Sequence, residues 1–312
     1  MNELNRRDFI AGSFAGSVLL ATSQLPAFAE KPLPLGSLSV GYLRIPIGLK
    51  KPFSVLHVSD TNLSSVYSDE GEKLLRDNER RTNQVGGRQE EALTAAIAYA
   101  KKHADYLIHT GDLVDFHSRA NDDFLRENQA AFAFGVAGDW DVGGRFQNRT
   151  EQLRERAAKA LPFKPDCAAK VLNGVNFVAL DNSEEGLFQE DQIAFFKEEA
   201  KKGLPMALCC HVPVFTDFIW QAYVKYGMLH NCNEKSVIFD TRRIPITDYL
   251  ARYQINHTPT REFVKYLKAE QLLKAILAGD LHISVHECFS PTAIQSVTGA
   301  NSLLHAQLVR FS

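Results

Sequence analysis

The amino-acid sequence predicts an α/β protein. Three observations carry that expectation. From Leu38 onward, β-rich runs alternate with helical patterns; no long linker or internal repeat interrupts them; and five times an apolar strand ends directly on a side chain able to bind a metal. Ligands of open α/β sheets gather at the carboxyl ends of strands, so the five strand ends predict one composite site. The 312 residues carry a formal net charge of −2, with 45% hydrophobic and 23% charged residues. That balance is ordinary for a globular chain and offers no basic field to favour nucleic acid as a partner.

The first 29 residues stand apart. Asn5-Arg6-Arg7-Asp8-Phe9-Ile10 resembles a twin-arginine export signal, a modest apolar stretch follows from Ile10 to Ala21, and Ala27-Phe28-Ala29 has the small-x-small form of a cleavage site. Residues 1–29 are therefore read as a signal peptide served by the twin-arginine export machinery, and residues 30–312 as the domain. The expected location is periplasmic or secreted, with an uncleaved N-terminal anchor as the alternative. The apolar stretch is short and rich in small residues, so no stable membrane span is expected after processing. Of the five cysteines, none forms a CxxC pair, which supports neither a zinc ribbon nor a disulfide framework. Cys209-Cys210 lies in an apolar run and reads as small buried hydrophobes.

Taken in order, Phe53 to Val58 predicts a strand ending at Asp60. The polar stretch from Asn62 to Gly87 reads as a loop with little core, closed by Gly86-Gly87. Arg88 to His103 predicts a helix with Leu93, Ala96, Ile97 and Ala100 on one face and basic residues in its last turn. Tyr106 to His109 is a strand ending at Gly111-Asp112. A helical stretch, Asp122 to Gln129, leads into the apolar run Ala131–Ala137 and then Gly138-Asp139. Lys170 to Val178 predicts a hairpin turning at Asn173-Gly174, since Asn-Gly tolerates the positive φ of a two-residue turn. Glu190 to Lys202 is a helix, Met206 to Cys210 a strand delivering His211, and Arg261 to Lys274 a helix feeding Ala275–Ala278, which stops at Gly279-Asp280. The end of the chain, Ile283 to Phe311, predicts antiparallel strands.

Singly, each motif is weak; the ordered set is specific. Ser59-Asp60-Thr61-Asn62, Gly111-Asp112-Leu113-Val114-Asp115, Gly138-Asp139-Trp140-Asp141, His211-Val212-Pro213 and Gly279-Asp280-Leu281-His282 resemble the series D-x-H, G-D-x-x-D, G-N-H-D/E, H-x-P and G-H-x-H of the calcineurin-like metallophosphoesterases. The resemblance spans residues 53–285. It implies a two-sheet sandwich flanked by helices and one or two divalent metal ions at the strand ends. One ion would be held by Asp60, Asn62, Asp112 and His282, and a second by Asp112, Asp139, His211 and Asp280. Asp112 and His211 would be central to the chemistry, in which a metal-bound hydroxide attacks a phosphomono- or phosphodiester.

The departures from the family pattern shape the expectation. Asn62, Asp139 and Asp280 replace His, Asn and His, and each keeps an oxygen donor. Four carboxylates therefore stand where the family pattern has two, enough to neutralise two divalent ions. Oxygen ligands with fewer imidazoles favour Mn²⁺ or Mg²⁺ over Zn²⁺ or Fe. Trp140 takes the place of the family's leaving-group acid, and an indole cannot act as one near neutral pH. His117 is the substitute proton donor to consider, beside the reading of it as a loop histidine. Asp141 reads as a turn or capping residue. An insertion at about 214–260, rich in aromatics and arginines such as Trp220, Tyr223, Arg242 and Arg243, is a candidate substrate-facing cap. Within it Arg242 and Arg243, together with Trp140, are the expected substrate contacts. The runner-up function is a catalytically silent protein of this fold that binds a metal structurally and a ligand or partner.

Overall fold

The computed structural model describes residues 37–144, 146–223, 225 and 254–312. The expected signal peptide, Cys232, and the cap residues Arg242 and Arg243 lie outside the described residues. Two mixed sheets face one another with helices on their outer faces. The first has the order β1-β11-β2-β3-β4 and the second β5-β6-β7-β8-β10-β9. The strands are β1 (Ser39–Ile45), β2 (Phe53–Val58), β3 (Tyr106–Thr110), β4 (Phe134–Val136), β5 (Ala168–Leu172), β6 (Val175–Ala179), β7 (Met206–Cys209), β8 (Leu273–Ala278), β9 (Val285–Cys288), β10 (Ile294–Val297) and β11 (His305–Phe311).

The strand sequences explain the layers. In β2, Phe53 and Val55 point into the space between the sheets, while Leu56 and Val58 point outward. In β7, Ala207 and Cys209 point inward, while Met206, Leu208 and the following Cys210 pack under the helices of the other face. Strands covered on both sides have no polar face to spare, which is why these runs are apolar without alternation. Phe53 lies parallel to Phe311 at 5.1 Å and edge-on to Phe177 at 6.4 Å, joining both sheets. Truncating such a ring to alanine typically costs about 3–5 kcal/mol. Cys209 and Cys210 are fully buried free thiols, and burial pushes Cys210 up to about 12, so they behave as the small hydrophobes expected.

The helices are α1 (Glu72–Val85), α2 (Gln89–His103), α3 (Arg119–Asn128), α4 (Glu151–Ala160), α5 (Glu190–Ala200), α6 (Asp217–Ala222) and α7 (Thr258–Ala269). In α2, Leu93, Ala96, Ile97 and Ala100 are buried, the face read from the sequence. The Asn173-Gly174 hairpin also forms, with φ of 46° and 86°. Three expectations are corrected. Residues 62–87 are not all loop, because α1 occupies most of their second half; it buries no side chain and gains local support from Lys73–Asp77 and Glu72–Arg76 pairs one turn apart. The helix expected at 261–274 runs Thr258–Ala269, started by the His257 ring accepting from Thr260 N–H, and Leu273 and Lys274 belong to β8. The terminal strands divide between the sheets: β9 and β10 are antiparallel in one, and in the other β11 lies antiparallel to β2 but parallel to β1. No helix of the described residues is long and apolar enough to cross a membrane.

Candidate metal centre

Because β2, β3 and β4 run parallel, as do β7 and β8, their carboxyl ends share one edge of the sandwich. The loops leaving that edge are tied together. Asp60 N–H donates to Gly111 C=O at 3.0 Å, Asn62 N–H to Asp112 C=O at 2.9 Å, and Gly279 N–H to His211 C=O at 2.9 Å. Close approach is possible because the motif glycines lack a side chain. A Cβ on Gly138 would lie 2.1 Å from Asp112 Oδ1, and one on Gly279 only 1.8 Å from Ser59 Oγ. Five candidate ligands sit in the left-handed region, with φ of 55° at Asp60, 54° at Asn62, 54° at Asp112, 64° at Asp280 and 55° at His282. Such backbone costs on the order of 1 kcal/mol per residue outside glycine, and it recurs where a site demands it.

The side chains meet. His211 Nε2 lies 3.3 Å from Asp112 Oδ2, 3.5 Å from Asp139 Oδ1 and 3.8 Å from Asp280 Oδ1. His282 Nε2 lies 3.4 Å from Asp60 Oδ1. Ligand atoms of Asp60, Asp112 and His211 lie within 4.8 Å of one another, and so do those of Asp139, His211 and Asp280. Two ligand sets thus share His211. Asp60, Asp112 and His211 are buried, while the side chains of Asp139, Asp280 and His282 are partly exposed, so the cluster opens on that side.

The donor set fits a divalent cation. Asp60 Oδ1, Asn62 Oδ1 and His211 Nε2 are buried and without a hydrogen-bond partner, although buried polar atoms are normally paired. Electrostatics point the same way. Burial, together with the nearby Asp139 and Asp60 carboxylates, pushes Asp112 well above the usual carboxylate range and Asp280 up to about 6. Burial would lower His211, but Asp112, Asp139 and Asp60 hold it well above its ordinary value. Burial would likewise raise Asp60, but His282 and His211 hold it below. A cation among these carboxylates would relieve their mutual repulsion.

Other expected residues take different places. Asp141 is a loop staple whose oxygens accept from Val114 N–H at 2.9 Å and Gly138 N–H at 2.8 Å. His117 is not a free proton donor: it is fully buried, with Nδ1 on Asp122 at 2.9 Å and Nε2 donating to the Asp141 carbonyl at 2.8 Å. Trp140 is half-buried beside the cluster, and its N–H supports Asp112 Oδ1 at 3.1 Å. Two residues absent from the expected set belong here. Asp115 lies against the Asn62 side chain, and Arg81 of α1 grips Asp115 while lying 5.7 Å over the Trp140 ring. The second aspartate of Gly111-Asp112-Leu113-Val114-Asp115 was the one signal for this pair.

The family profile described as calcineurin-like phosphoesterase matches residues 53–284. Similar solved structures include a dimetal phosphatase from Danio rerio, 13% identical over 80% of this chain and 88% of that one, with a TM-score of 0.45. The NAD nucleotidase of Haemophilus influenzae is 12% identical over 81% of this chain and 51% of its own, with a TM-score of 0.40. A 5'-nucleotidase from Candida albicans is 11% identical over 85% and 48%, with a TM-score of 0.37. This chain spans about half the length of either nucleotidase. No curated protein matches it.

Proposed function

The chain belongs to the calcineurin-like phosphoesterase family, and on that premise we propose that it is a metal-dependent hydrolase of a phosphomono- or phosphodiester. The observation that carries the reading is the convergence of Asp60, Asp112, Asp139, Asp280 and His211 at one sheet edge, where Asp60 Oδ1, Asn62 Oδ1 and His211 Nε2 are buried without a hydrogen-bond partner. The residues that would hold one or two divalent ions are Asp60, Asn62, Asp112, Asp139, His211, Asp280 and His282. When bound, such ions would polarise the phosphoryl oxygens and activate a water. The oxygen-rich set favours Mn²⁺ or Mg²⁺ over Zn²⁺ or Fe.

The chain's own groups set the rest. His211 turns its Nδ1–H to the backbone, which leaves Nε2 for the cluster. With Trp140 in the acid position and both His117 nitrogens engaged, neither residue protonates a leaving group. Such protonation is worth about 10²–10⁴-fold, so substrates whose leaving group departs unaided are favoured. That same deficit supports the second reading, a silent site that holds a metal structurally. Arg242 and Arg243 remain proposed substrate contacts. The Arg6-Arg7 pair and Ala27-Phe28-Ala29 support export by the twin-arginine route and a periplasmic or secreted location.

The test is the initial rate on nitrophenyl and alkyl phosphomonoesters and diesters with Mn²⁺, Mg²⁺ or Zn²⁺. Nitrophenyl esters should turn over about a hundredfold faster or more, and Asp112→Asn should abolish the rate. Stoichiometric metal binding with no turnover on any ester would replace the enzyme reading by the silent one.

A further inference from the structure

Helix α1 buries no side chain, so apolar burial does not dock it. Polar and ring contacts do. Asn78 Nδ2 donates to Ser64 C=O at 2.8 Å, Lys73 Nζ to Phe146 C=O at 2.8 Å, and Arg80 lies 5.6 Å over the Phe146 ring. The most enclosed contact is Arg81, whose side chain is 13% exposed against a fully buried Asp115. Its Nε and Nη2 donate to the two oxygens of Asp115, the latter at 3.0 Å, and Nη1 donates to Gln84 Oε1 at 2.9 Å.

Both partners of Arg81 reach candidate ligands. The Trp140 ring beneath it belongs to the residue whose N–H supports Asp112 Oδ1. The Asn62 side chain lies against the Asp115 carboxylate, and Asp115 N–H donates at 2.9 Å to the C=O of Leu63, the residue after Asn62. A carboxylate engaged by a guanidinium only accepts, so the Asn62 amide nitrogen faces Asp115. Its oxygen, buried and unpartnered, is left for the cluster. We propose that Arg81 is a positioning residue of the metal centre: by clamping Asp115 with a two-point grip it fixes the Asn62 amide with its oxygen toward the cation, and so sets the affinity of that side of the centre. A helix held to the domain through Lys73, Asn78 and Arg81 thereby becomes part of the metal site.

The inference rests on the reading of the cluster as a metal centre, and Mn²⁺ titration calorimetry on the full chain separates the two. The variants are Arg81→Gln, Arg81→Lys, Asn62→Ala and the double variant Arg81→Gln/Asn62→Ala, each checked for folding by circular dichroism. Arg81→Gln should weaken the same binding step that Asn62→Ala weakens, by about ten- to a hundredfold. Arg81→Lys, which keeps charge but not the fork, should recover part of the loss. The double variant should bind no more weakly than Asn62→Ala alone, because the two residues act in series. Wild-type affinity in Arg81→Gln, or losses that add, would overturn the role of Arg81 while leaving the centre intact. A wild type that binds no Mn²⁺ would remove the centre itself, and the positioning role with it.

Discussion

His211 Nδ1 donates to the backbone carbonyl of Thr110 at 2.8 Å, so the ring's other nitrogen faces Asp112, Asp139 and Asp280. The backbone of one sheet thus orients an imidazole that rises from the other. A ligand oriented in this way binds a cation only after giving up the proton that the carboxylates favour on it.

Metal binding should therefore release protons. Asp112, Asp280, His211 and His282 all sit above their ordinary values in the metal-free cluster. Their protons compete with the cation, so affinity should rise with pH and fall about tenfold per unit for each proton displaced. Titration calorimetry in buffers of different ionisation enthalpy counts the protons. An Mn²⁺ affinity that stays flat from about pH 5.5 to 7.5 contradicts the linkage.

Gly279→Ala should dismantle the site. The new Cβ would meet Ser59 Oγ at 1.8 Å and Asp60 Oδ2 at 2.6 Å. Overpacking of this kind costs about 1–3 kcal/mol, and here it pushes directly on a ligand. Gly203→Ala, with φ of 68° and nothing within 4 Å of the added atom, is the control. It should lose about 1 kcal/mol of stability and keep wild-type metal affinity. Urea unfolding and Mn²⁺ titration of both variants decide the matter.

His57 and His109 make stability depend on pH. Burial pushes both down to about 3. His109 Nδ1 accepts from Gly111 N–H at 3.2 Å, so a second proton there would displace the loop carrying Asp112. The sign follows from the unfolded chain, whose histidines titrate near 6.5. The contribution is fully present above that pH and is lost as pH falls toward 3, at up to about 1.4 kcal/mol per unit for each histidine. In metal-free protein, His109→Gln should reduce the slope of unfolding free energy between about pH 6 and 4 by that amount. An unchanged slope would mean the ring is protonated in the fold.

Replacing Arg6 and Arg7 by lysine should leave the precursor in the cytoplasm, as fractionation of cells would reveal. Unaltered export, or a mature N-terminus other than Glu30, would contradict the proposed signal or cleavage site.

The ligand-bearing turns were legible because each follows a strand with no polar face: Val58 before Asp60, Thr110 before Asp112, Cys209 before His211, Ala278 before Asp280. What escaped was structure without an apolar signature. Helix α1 is polar, with only Leu74, Leu75 and Val85 apolar, so no apolar stripe announces it. Its Arg81 pairs with Asp115, 34 residues away, and charge pairing at that range leaves no local trace. The helix expected at 261–274 stops at Ala269 because Leu273 already pairs with Met206 of β7, a contact 67 residues away that local sequence does not announce.

One feature of the first sheet bears on the order of events during synthesis. Strand β11, ending at Phe311, lies between β1 and β2, and its ring stacks on Phe53 in the heart of the sandwich. Strands β2, β3 and β4 leave the ribosome long before β11, yet β2 and β1 are joined only through β11. The nascent chain must therefore hold one edge of β2 unpaired until residues 305–311 have emerged. An edge left open for that long is a template for wrong pairing, and closing it is a late step in building the first sheet.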